Sequence, residues 1–253
     1  MGSLAGKRAL VTGGGHGIGQ AIARGLLAAG CDVAFHYHSD SAGAQQVVAS
    51  AVSMQRRARP FTADLNDEAA AVAMVRDAVA FLGGLDVLVN NAGGLVERRT
   101  LANVDLPFWH RVVDLNLTTM MVVTREAVPW LARAGNASIV NVASLAGRKG
   151  GHAGSLVYST AKGAVLTFTR SLAVELAAQG IRVNAVAPGL ILGTNFHNTH
   201  TTKESAQETV RAIPLGRAGT VDDVARPCVF LASEYDGFIT GETMDVNGGV
   251  YCA

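Results

Sequence analysis

Along this chain, short runs of apolar residues alternate with longer segments in which apolar residues recur every three or four positions. The short runs predict buried strands, and the periodic segments predict helices with one apolar face. The predicted strands are Ala9–Val11, Val33–Phe35, Pro60–Thr62, Val87–Val89, Ser138–Val142, Arg182–Val186 and Thr243–Val246. The predicted helices are Ile18–Ala29, Ser41–Met54, Asn66–Leu82, Pro107–Arg133, a helix that contains Tyr158, and Val221–Ala232.

This alternation of strand and helix predicts the fold class. Parallel strands joined by right-handed crossover helices form a sheet that is covered on both faces, so we expect an α/β fold with a Rossmann-type, doubly wound parallel sheet. No internal repeat and no linker rich in Pro, Gly or Ser interrupts the pattern. The 253 residues are therefore predicted to form a single nucleotide-binding domain over 1–253.

Composition and charge narrow the class of partner. The formal net charge is +1 and no block of basic residues occurs, so neither nucleic acid nor an anionic membrane is an expected partner. No apolar run is long enough to cross a bilayer and no signal-peptide core follows Met1, which predicts a cytoplasmic protein. Cys31, Cys228 and Cys252 have no metal-ligand spacing, and we expect neither disulfides nor a bound metal.

A glycine-rich segment follows the first predicted strand and opens the first predicted helix. Its sequence is Thr12-Gly13-Gly14-Gly15-His16-Gly17-Ile18-Gly19. Glycine lets the backbone turn tightly and approach a pyrophosphate, which the positive end of a helix attracts. We therefore predict that a dinucleotide cofactor is bound by Thr12, Gly13, His16, Gly17, Ile18 and Gly19.

Residues that follow the other strands converge on the same edge of the sheet, where ligands bind in doubly wound folds. Small residues in Asn90-Asn91-Ala92-Gly93 allow adenosine or ribose to lie close to the backbone, which makes Asn91, Ala92 and Gly93 candidate contacts. In Asp64-Leu65 the carboxylate is a candidate acceptor from the adenine amino group and a candidate cap of the following helix, and the two roles are compatible. Pro188, Gly189 and Ile191 follow the sixth strand, and Ser144 follows the fifth.

Tyr158 and Lys162 are four residues apart in a predicted helix, so both side chains lie on one face. A free tyrosine has a pKa near 10, and an adjacent cation stabilises the phenolate and lowers that pKa. The pair is therefore a candidate proton shuttle. A chance pairing of a core tyrosine with a surface lysine is the alternative that the pair alone leaves open.

Taken together, these motifs resemble those of the short-chain dehydrogenase/reductases, including their 3-oxoacyl-[acyl-carrier-protein] reductases, over essentially the whole chain. The matching residues occur in the family's order and approximate spacing: Thr12-Gly13-x-x-x-Gly17-x-Gly19, Asn90-Asn91-Ala92-Gly93, Asn116, Ser144, Tyr158-x-x-x-Lys162 and Pro188-Gly189. The resemblance implies NAD(P)-dependent interconversion of an alcohol and a carbonyl. It implies a proton-transferring Tyr158, a Ser144 that hydrogen-bonds the substrate oxygen, a Lys162 that binds the nicotinamide ribose, and an Asn116 that holds a relay water.

The resemblance also bears on the choice of cofactor. Tyr37 falls about where NAD-dependent relatives carry an aspartate, which favours NADP(H), with NAD(H) as the alternative. His16 and His38 stand where NADP-dependent relatives often carry Arg or Lys, and Ser39 is a candidate phosphate donor. Because histidine is only partly charged at neutral pH, this preference is modest.

Two departures from the family pattern concern the substrate side. The segment 147–154 makes the chain one residue longer than most relatives between Ser144 and Tyr158, which is expected to alter the rim but not the site. Thr194 comes one position later than the corresponding threonine of most relatives. The sequence therefore leaves undecided whether Thr194 makes the hydrogen bond to the cofactor carboxamide that the resemblance implies. Segment 192–214 resembles the family's substrate lid. Phe196, His197, Asn198, His200, Thr201 and Thr202 make this lid mixed in polarity.

The substrate and the assembly are constrained less closely. A small polar carbonyl, a polyol or sugar, and an acyl chain all fit the sequence. Val174 replaces a basic residue of the carrier-protein reductases, and relatives commonly form homotetramers. A non-catalytic nucleotide-binding sensor or scaffold of the same fold is the alternative from another functional class.

Overall fold

A parallel sheet organises the chain. The computed structural model describes residues 4–38, 41–194, 199, 202–233 and 237–252. Seven strands are found in this part of the chain: β1 Arg8–Val11, β2 Asp32–Tyr37, β3 Ala58–Thr62, β4 Val87–Asn90, β5 Ala137–Val142, β6 Ile181–Pro188 and β7 Thr243–Val246. All neighbouring strands pair in parallel, in the order β3-β2-β1-β4-β5-β6-β7. The predicted doubly wound α/β fold is confirmed.

The helices cover both faces of this sheet. They are α1 Gly17–Ala28, α2 Ser41–Ser53, α3 Glu68–Leu82, α4 Leu106–Val113, α5 Thr119–Ala134, α6 Leu145–Lys149, α7 Leu156–Leu176, α8 Lys203–Arg211 and α9 Val221–Ala232. One apolar cluster joins α1, α2 and α9 to the sheet, and a second joins α3, α5 and α7. Every residue of β4 and β5 is buried, as expected for central parallel strands covered on both faces.

Two predicted helices have local features that the sequence pattern did not predict. The helical region predicted over Pro107–Arg133 is helical throughout, and a π-helical segment at Asp114–Thr118 lies between α4 and α5. The helix predicted from Asn66 begins at Glu68, because Asp67 is its N-cap and accepts a hydrogen bond from the Ala70 N–H. Asp64 is therefore not the cap of α3, and the capping interpretation of Asp64 was wrong.

A buried polar network fixes how α5 and α7 lie on the sheet. Asn90 on β4 donates to Asn141 on β5 and to Thr124 on α5, at 2.9 Å in both cases. Asn141 in turn donates to the Thr169 hydroxyl on α7 at 3.0 Å. Since an unpaired polar group is costly in a dry core, this network favours one register of β4 on β5 and one placement of α7.

The strand order reverses direction between β1 and β4, so a crevice opens beyond their carboxyl ends. No helix in the described part of the chain is long and apolar enough to cross a membrane.

Candidate active site

Tyr158 and Ser144 meet at the wall of this crevice. Tyr158, in the first turn of α7, is 9% exposed and packs with Leu95, Phe108 and Val112. Ser144 is the N-cap of α6, and its Oγ accepts a hydrogen bond from the Ala146 N–H at 3.1 Å. The Ser144 hydroxyl also hydrogen-bonds the Tyr158 side chain. Ser144 is thus a turn residue and a partner of the tyrosine at once.

Close backbone packing of α6 on α7 brings the two hydroxyls together. A Cβ on Gly147 of α6 would lie 2.6 Å from the Lys162 carbonyl carbon and 2.7 Å from the Gly163 nitrogen of α7. No side chain fits between the helices at this point. The absence of a side chain on Gly147 therefore holds Ser144 within reach of Tyr158.

Lys162 lies one turn beyond Tyr158 and is buried, with 3% exposure. Its ammonium donates to the carbonyl of Val142, the last residue of β5, at 2.8 Å. The same nitrogen lies 6.0 Å from the centre of the Tyr158 ring. An ammonium has three donors, so two remain for a ligand in the crevice.

Burial dominates the ionisation of both residues. It raises the pKa of Tyr158, and the hydrogen bond from Ser144 opposes that rise. Burial lowers the pKa of Lys162 to about 8. In the absence of a ligand, Tyr158 is therefore a protonated phenol at neutral pH, and Lys162 is a cation whose proton is held less tightly than usual.

Asn116 lies in the π-helical segment and is fully buried. Its amide nitrogen donates to the carbonyls of Gly94 and Val112 at 2.8 and 2.9 Å, and its Oδ1 accepts from the Gly94 N–H at 3.1 Å. Both amide hydrogens are thereby used. A relay water at Asn116 would have to donate to one of its carbonyl oxygens, and π-helical turns of this kind are frequent at functional sites.

Gly13, Gly14 and Gly19 of the glycine-rich segment are packed too tightly to accept side chains. A Cβ on Gly19 would lie 2.1 Å from the Gly13 carbonyl oxygen, and one on Gly13 would lie 2.8 Å from the Asn91 Nδ2. Asn91 Nδ2 donates to the carbonyls of Thr12 and Gly13 at 3.0 and 3.1 Å. The Thr12 hydroxyl accepts from the N–H groups of Asn91 and Ala92. These contacts join β1 to β4 at the point where the strand order reverses.

The first turn of α1 presents backbone N–H groups to the crevice. His16 is its N-cap but makes no capping hydrogen bond through its side chain, and Gly17 and Ile18 line the crevice. Unpaired N–H groups and the helix dipole together make an anion site. The glycine backbone and this helix end therefore fit the pyrophosphate of a dinucleotide.

His36 was missed by the sequence analysis. It is 4% exposed near the end of β2, where its Nδ1 accepts from the Gly13 N–H at 3.2 Å and its Nε2 lies 3.1 Å from the Ala63 carbonyl. These partners require a neutral ring with hydrogen on Nε2, and burial lowers the pKa of His36. A polar residue inside an otherwise apolar strand was the available signal.

The predicted nucleotide contacts at the ends of β2 and β3 lie apart from the crevice lining. His38 is exposed, with its Nδ1 3.3 Å from the Ala63 carbonyl. Asp64 accepts from the backbone and side chain of Asn66, which lowers the pKa of Asp64. Leu65 is buried in the core against α3, so only its backbone is available to a ligand. Ser39 lies outside the described residues.

The crevice encloses a cavity of about 620 Å³ that brings together residues from distant parts of the sequence. The predicted residues that line it are His16, Gly17, Ile18, Gly19, Asn91, Gly93, Ser144, Tyr158, Lys162, Pro188, Gly189 and Ile191. Four charged or titratable residues also line it. Lys149, His152 and Glu208 lie in the segments that the sequence predicted at the substrate rim and lid, whereas Arg98 had not been assigned.

The lid is described in part. Thr194 is buried and lines the cavity, with its methyl 3.7 Å from where a Cβ on Gly17 would lie, and Ser205 and Glu208 of α8 face the same space. Thr202 is the N-cap of α8 and accepts from the Ser205 N–H. Phe196, His197, Asn198, His200 and Thr201 lie outside the described residues.

Comparison with known proteins gives matches over nearly the whole chain. A family model described as "Enoyl-(Acyl carrier protein) reductase" matches residues 13–251. The 3-oxoacyl-[acyl-carrier-protein] reductase FabG of Staphylococcus aureus is 36% identical over 245 residues, covering 97% of this chain and 98% of that protein. The 2-dehydro-3-deoxy-D-gluconate 5-dehydrogenase of Bacillus subtilis is 36% identical over 252 residues, covering 98% of this chain and 95% of that protein.

A solved structure is also similar to this chain over nearly its whole length. The crystal structure of an NADH-dependent reductase, A1-R', "responsible for alginate metabolism", has a TM-score of 0.90 at 35% identity and covers 99% of each chain.

Proposed function

The chain belongs to the short-chain dehydrogenase/reductase family, and from this we propose that it interconverts a carbonyl and a secondary alcohol with Tyr158 as general acid/base. Membership makes it an NAD(P)-dependent oxidoreductase that acts on a small-molecule substrate. The observation that supports the role of Tyr158 is its hydrogen bond with Ser144 at the cavity wall, with the Lys162 ammonium behind the ring.

Several residues of the chain support a proposed position for the cofactor. The glycine backbone at Gly13 and Gly19 and the N–H groups at the start of α1 fit a pyrophosphate, and the free donors of Lys162 suit the hydroxyls of a nicotinamide ribose. When bound, the nicotinamide supplies the hydride for reduction or accepts it in oxidation.

In reduction, negative charge develops on the carbonyl oxygen. The hydroxyls of Ser144 and Tyr158 donate hydrogen bonds to that oxygen, and these bonds strengthen as the charge grows. Burial keeps Tyr158 protonated, so the phenol is ready to give its proton to the forming alkoxide. In oxidation the phenolate takes the alcohol proton, and the hydrogen bond from Ser144 stabilises that phenolate.

Exchange of Tyr158 for Phe tests the proposal and separates it from the alternative of a nucleotide-binding sensor. Turnover is expected to fall by about 100- to 10,000-fold, because the proton donor is lost while the ring packing remains. The measurement is carbonyl reduction across a panel of aldehydes, ketones and oxo acids with both cofactors, alongside cofactor affinity. Retained turnover in Tyr158→Phe would disprove the assigned role, and a parent protein inactive on the whole panel would favour the sensor.

We further propose that NADP(H) is preferred over NAD(H). β2 ends at Tyr37, whose phenol does not repel a ribose phosphate as a carboxylate would. His38 is exposed beside it, with one ring nitrogen held by the Ala63 carbonyl and the other available. The solved relative A1-R' is NADH-dependent, which is an observation against this preference.

Fluorescence titration tests the preference. NADPH is expected to bind more tightly than NADH, since His38 and the phenol of Tyr37 present no carboxylate that would repel the ribose phosphate. Tyr37→Asp should reverse the preference, with His110→Gln, exposed on α4, as the control. Equal or reversed affinities in the parent protein would contradict the preference.

The two curated relatives point to different substrates, namely a 3-oxoacyl group on acyl carrier protein and a deoxy sugar acid. Val174 stands where carrier-protein reductases tend to have a basic residue, and it is 83% exposed. We propose a small, free carbonyl substrate on this ground.

A further inference from the structure

The rim of the cavity carries more positive than negative charge. Arg98, Lys149 and His152 line the same cavity as Tyr158 and Ser144, and all three are exposed. The acidic residue that lines it is Glu208 on α8. Among the residues that the structure describes at this rim, the Arg98 and Lys149 cations outnumber the Glu208 carboxylate.

Arg98 is brought to the rim by an unusual turn. Val96 has a φ of 66°, and the Glu97 N–H donates to the Leu95 carbonyl at 2.8 Å, which makes a γ-turn of the uncommon positive-φ kind. A β-branched residue is strained in this conformation, so the surrounding structure must hold it there. The turn directs Leu95 into the core beside Tyr158 and returns the chain toward the cavity.

The Arg98 segment is anchored to the loop that leads into α7. The Arg98 guanidinium donates to the Ala153 carbonyl at 3.3 Å, and the Arg99 N–H donates to the Gly154 carbonyl at 3.0 Å. A Cβ on Gly154 would lie 2.9 Å from the Arg98 Cβ. These contacts place Arg98 beside His152, in the segment that is one residue longer than in most relatives.

Lys149 is placed by the helix that Ser144 begins. It is the last residue of α6, and Gly150 ends the helix in a left-handed conformation with φ 93°. A rise of 1.5 Å per residue over five residues puts the Lys149 backbone about 7.5 Å from Ser144 along the helix axis. Lys149 makes no ion pair with any carboxylate that the structure describes. Lys149 therefore brings a positive charge to the cavity that Ser144 and Tyr158 also line.

We propose that the substrate is a carbonyl compound with a carboxylate several bonds from the reacting carbon, and that Arg98 and Lys149 bind this carboxylate. This inference rests on the proposed function. The excess of cations over carboxylates at the rim suits an anionic group, and a guanidinium can bind a carboxylate through two parallel hydrogen bonds.

The test measures binding to the NADPH complex of Tyr158→Phe, so that it does not depend on turnover. The probes are levulinate, a ketone with a carboxylate at its far end, and its uncharged methyl ester. Levulinate is expected to bind about tenfold more tightly than the ester, as one charge-assisted hydrogen bond predicts. The combined Arg98→Met and Lys149→Met exchange should abolish that difference and leave the affinity for the ester unchanged.

Two further variants and a second pair of probes test the same proposal. Glu208→Gln should increase the preference for levulinate, because it removes the opposing charge. Arg24→Met, at an exposed arginine of α1 outside the cavity lining, should change nothing. Dihydroxyacetone phosphate and dihydroxyacetone form the phosphate pair, for which a smaller preference is expected.

Equal binding of levulinate and its ester would overturn the inference, as would a preference that survives the double exchange. A larger preference for the phosphate, or reduction of only carrier-protein-bound ketones, would overturn the assignment to a free carboxylate. Failure of the proposed function is seen separately, as an absence of carbonyl turnover by the parent protein on the panel described above.

Discussion

At the cofactor end of the cavity the wall is mainly backbone, whereas at the substrate end it is formed largely by side chains on loops and helix ends. Around Gly13 and Gly19 a single added Cβ would meet main-chain or amide atoms at 2.1 to 2.8 Å. Around Lys149 and Arg98 the side chains are exposed. Tight backbone packing fixes the position of a constant ligand, and exposed side chains can vary without cost to the core.

The largest effect of a substitution is expected at Gly19, at the cofactor end of the cavity. Gly19→Ala places a Cβ 2.1 Å from the Gly13 carbonyl oxygen, so the phosphate-binding turn must move. Cofactor affinity is expected to fall by about 100-fold or more, equivalent to about 3 kcal/mol. The control is Gly163→Ala in α7, where the nearest atom would be 3.4 Å away and alanine favours the helix. Equal cofactor affinity in the two variants, measured by titration, would show that the turn tolerates the change.

Lys162 lies between the cofactor end and the substrate end of the cavity, and its burial can be tested by the pH dependence of stability. Its pKa of about 8 in the folded, ligand-free protein lies below the 10.5 of an exposed lysine. The unfolded chain therefore binds more protons between these values, and raising the pH across this window stabilises the fold. From pH 7.5 to 9.5 the stability of the parent relative to Lys162→Met should rise by about 1–2 kcal/mol, as urea unfolding can measure.

Ionisation of buried cysteine thiols also changes the stability in this pH range, but its contribution cancels when the parent protein is compared with Lys162→Met. Burial raises the pKa of Cys31 to about 12 and that of Cys228 also, so ionisation of these thiols favours the unfolded chain at alkaline pH in both proteins. The parent and Lys162→Met would show parallel stability profiles if Lys162 were not desolvated.

The smallest effect is expected at His36, which accepts a hydrogen bond from Gly13 at the cofactor end of the cavity. Its lowered pKa means that the neutral ring contributes its full stability above about pH 6.5 and loses it as the pH falls further. His38 and Asp64 are the titratable groups that face it, with opposite effects on its charge. His36→Leu leaves the Gly13 N–H without its acceptor and should cost about 1 kcal/mol of stability.

His36→Asn separates titration from bonding. An asparagine can accept from Gly13 and donate toward Ala63 but carries no titrating proton. Cofactor affinity in this variant should stay level between pH 5.5 and 7, whereas in the parent it should weaken toward the acidic end. A parent affinity that is independent of pH over that range would rule out the bridging role.

Much of the fold was readable because its signals are local. The apolar runs marked the seven strands to within a few residues, and the end of the predicted helix at Leu82 agrees with the Gly83 cap in its left-handed conformation. The π-helical segment between α4 and α5 was not readable. It contains the buried amide of Asn116, which bonds to Gly94 across 22 residues of sequence, and periodicity does not record such a bond.

The sequence by itself determined which residues could do chemistry: the glycine turn, Ser144, and Tyr158 with Lys162 on one helix face. These depend on spacing within a helix and on residue type, which are properties of neighbours in the chain. The tertiary structure alone decided that Ser144 bonds Tyr158, that His36 joins Gly13 to Ala63, and that Arg98 meets the segment 55 residues away at Ala153. Contacts between distant segments depend on how helices and strands pack, and packing is set by the whole core.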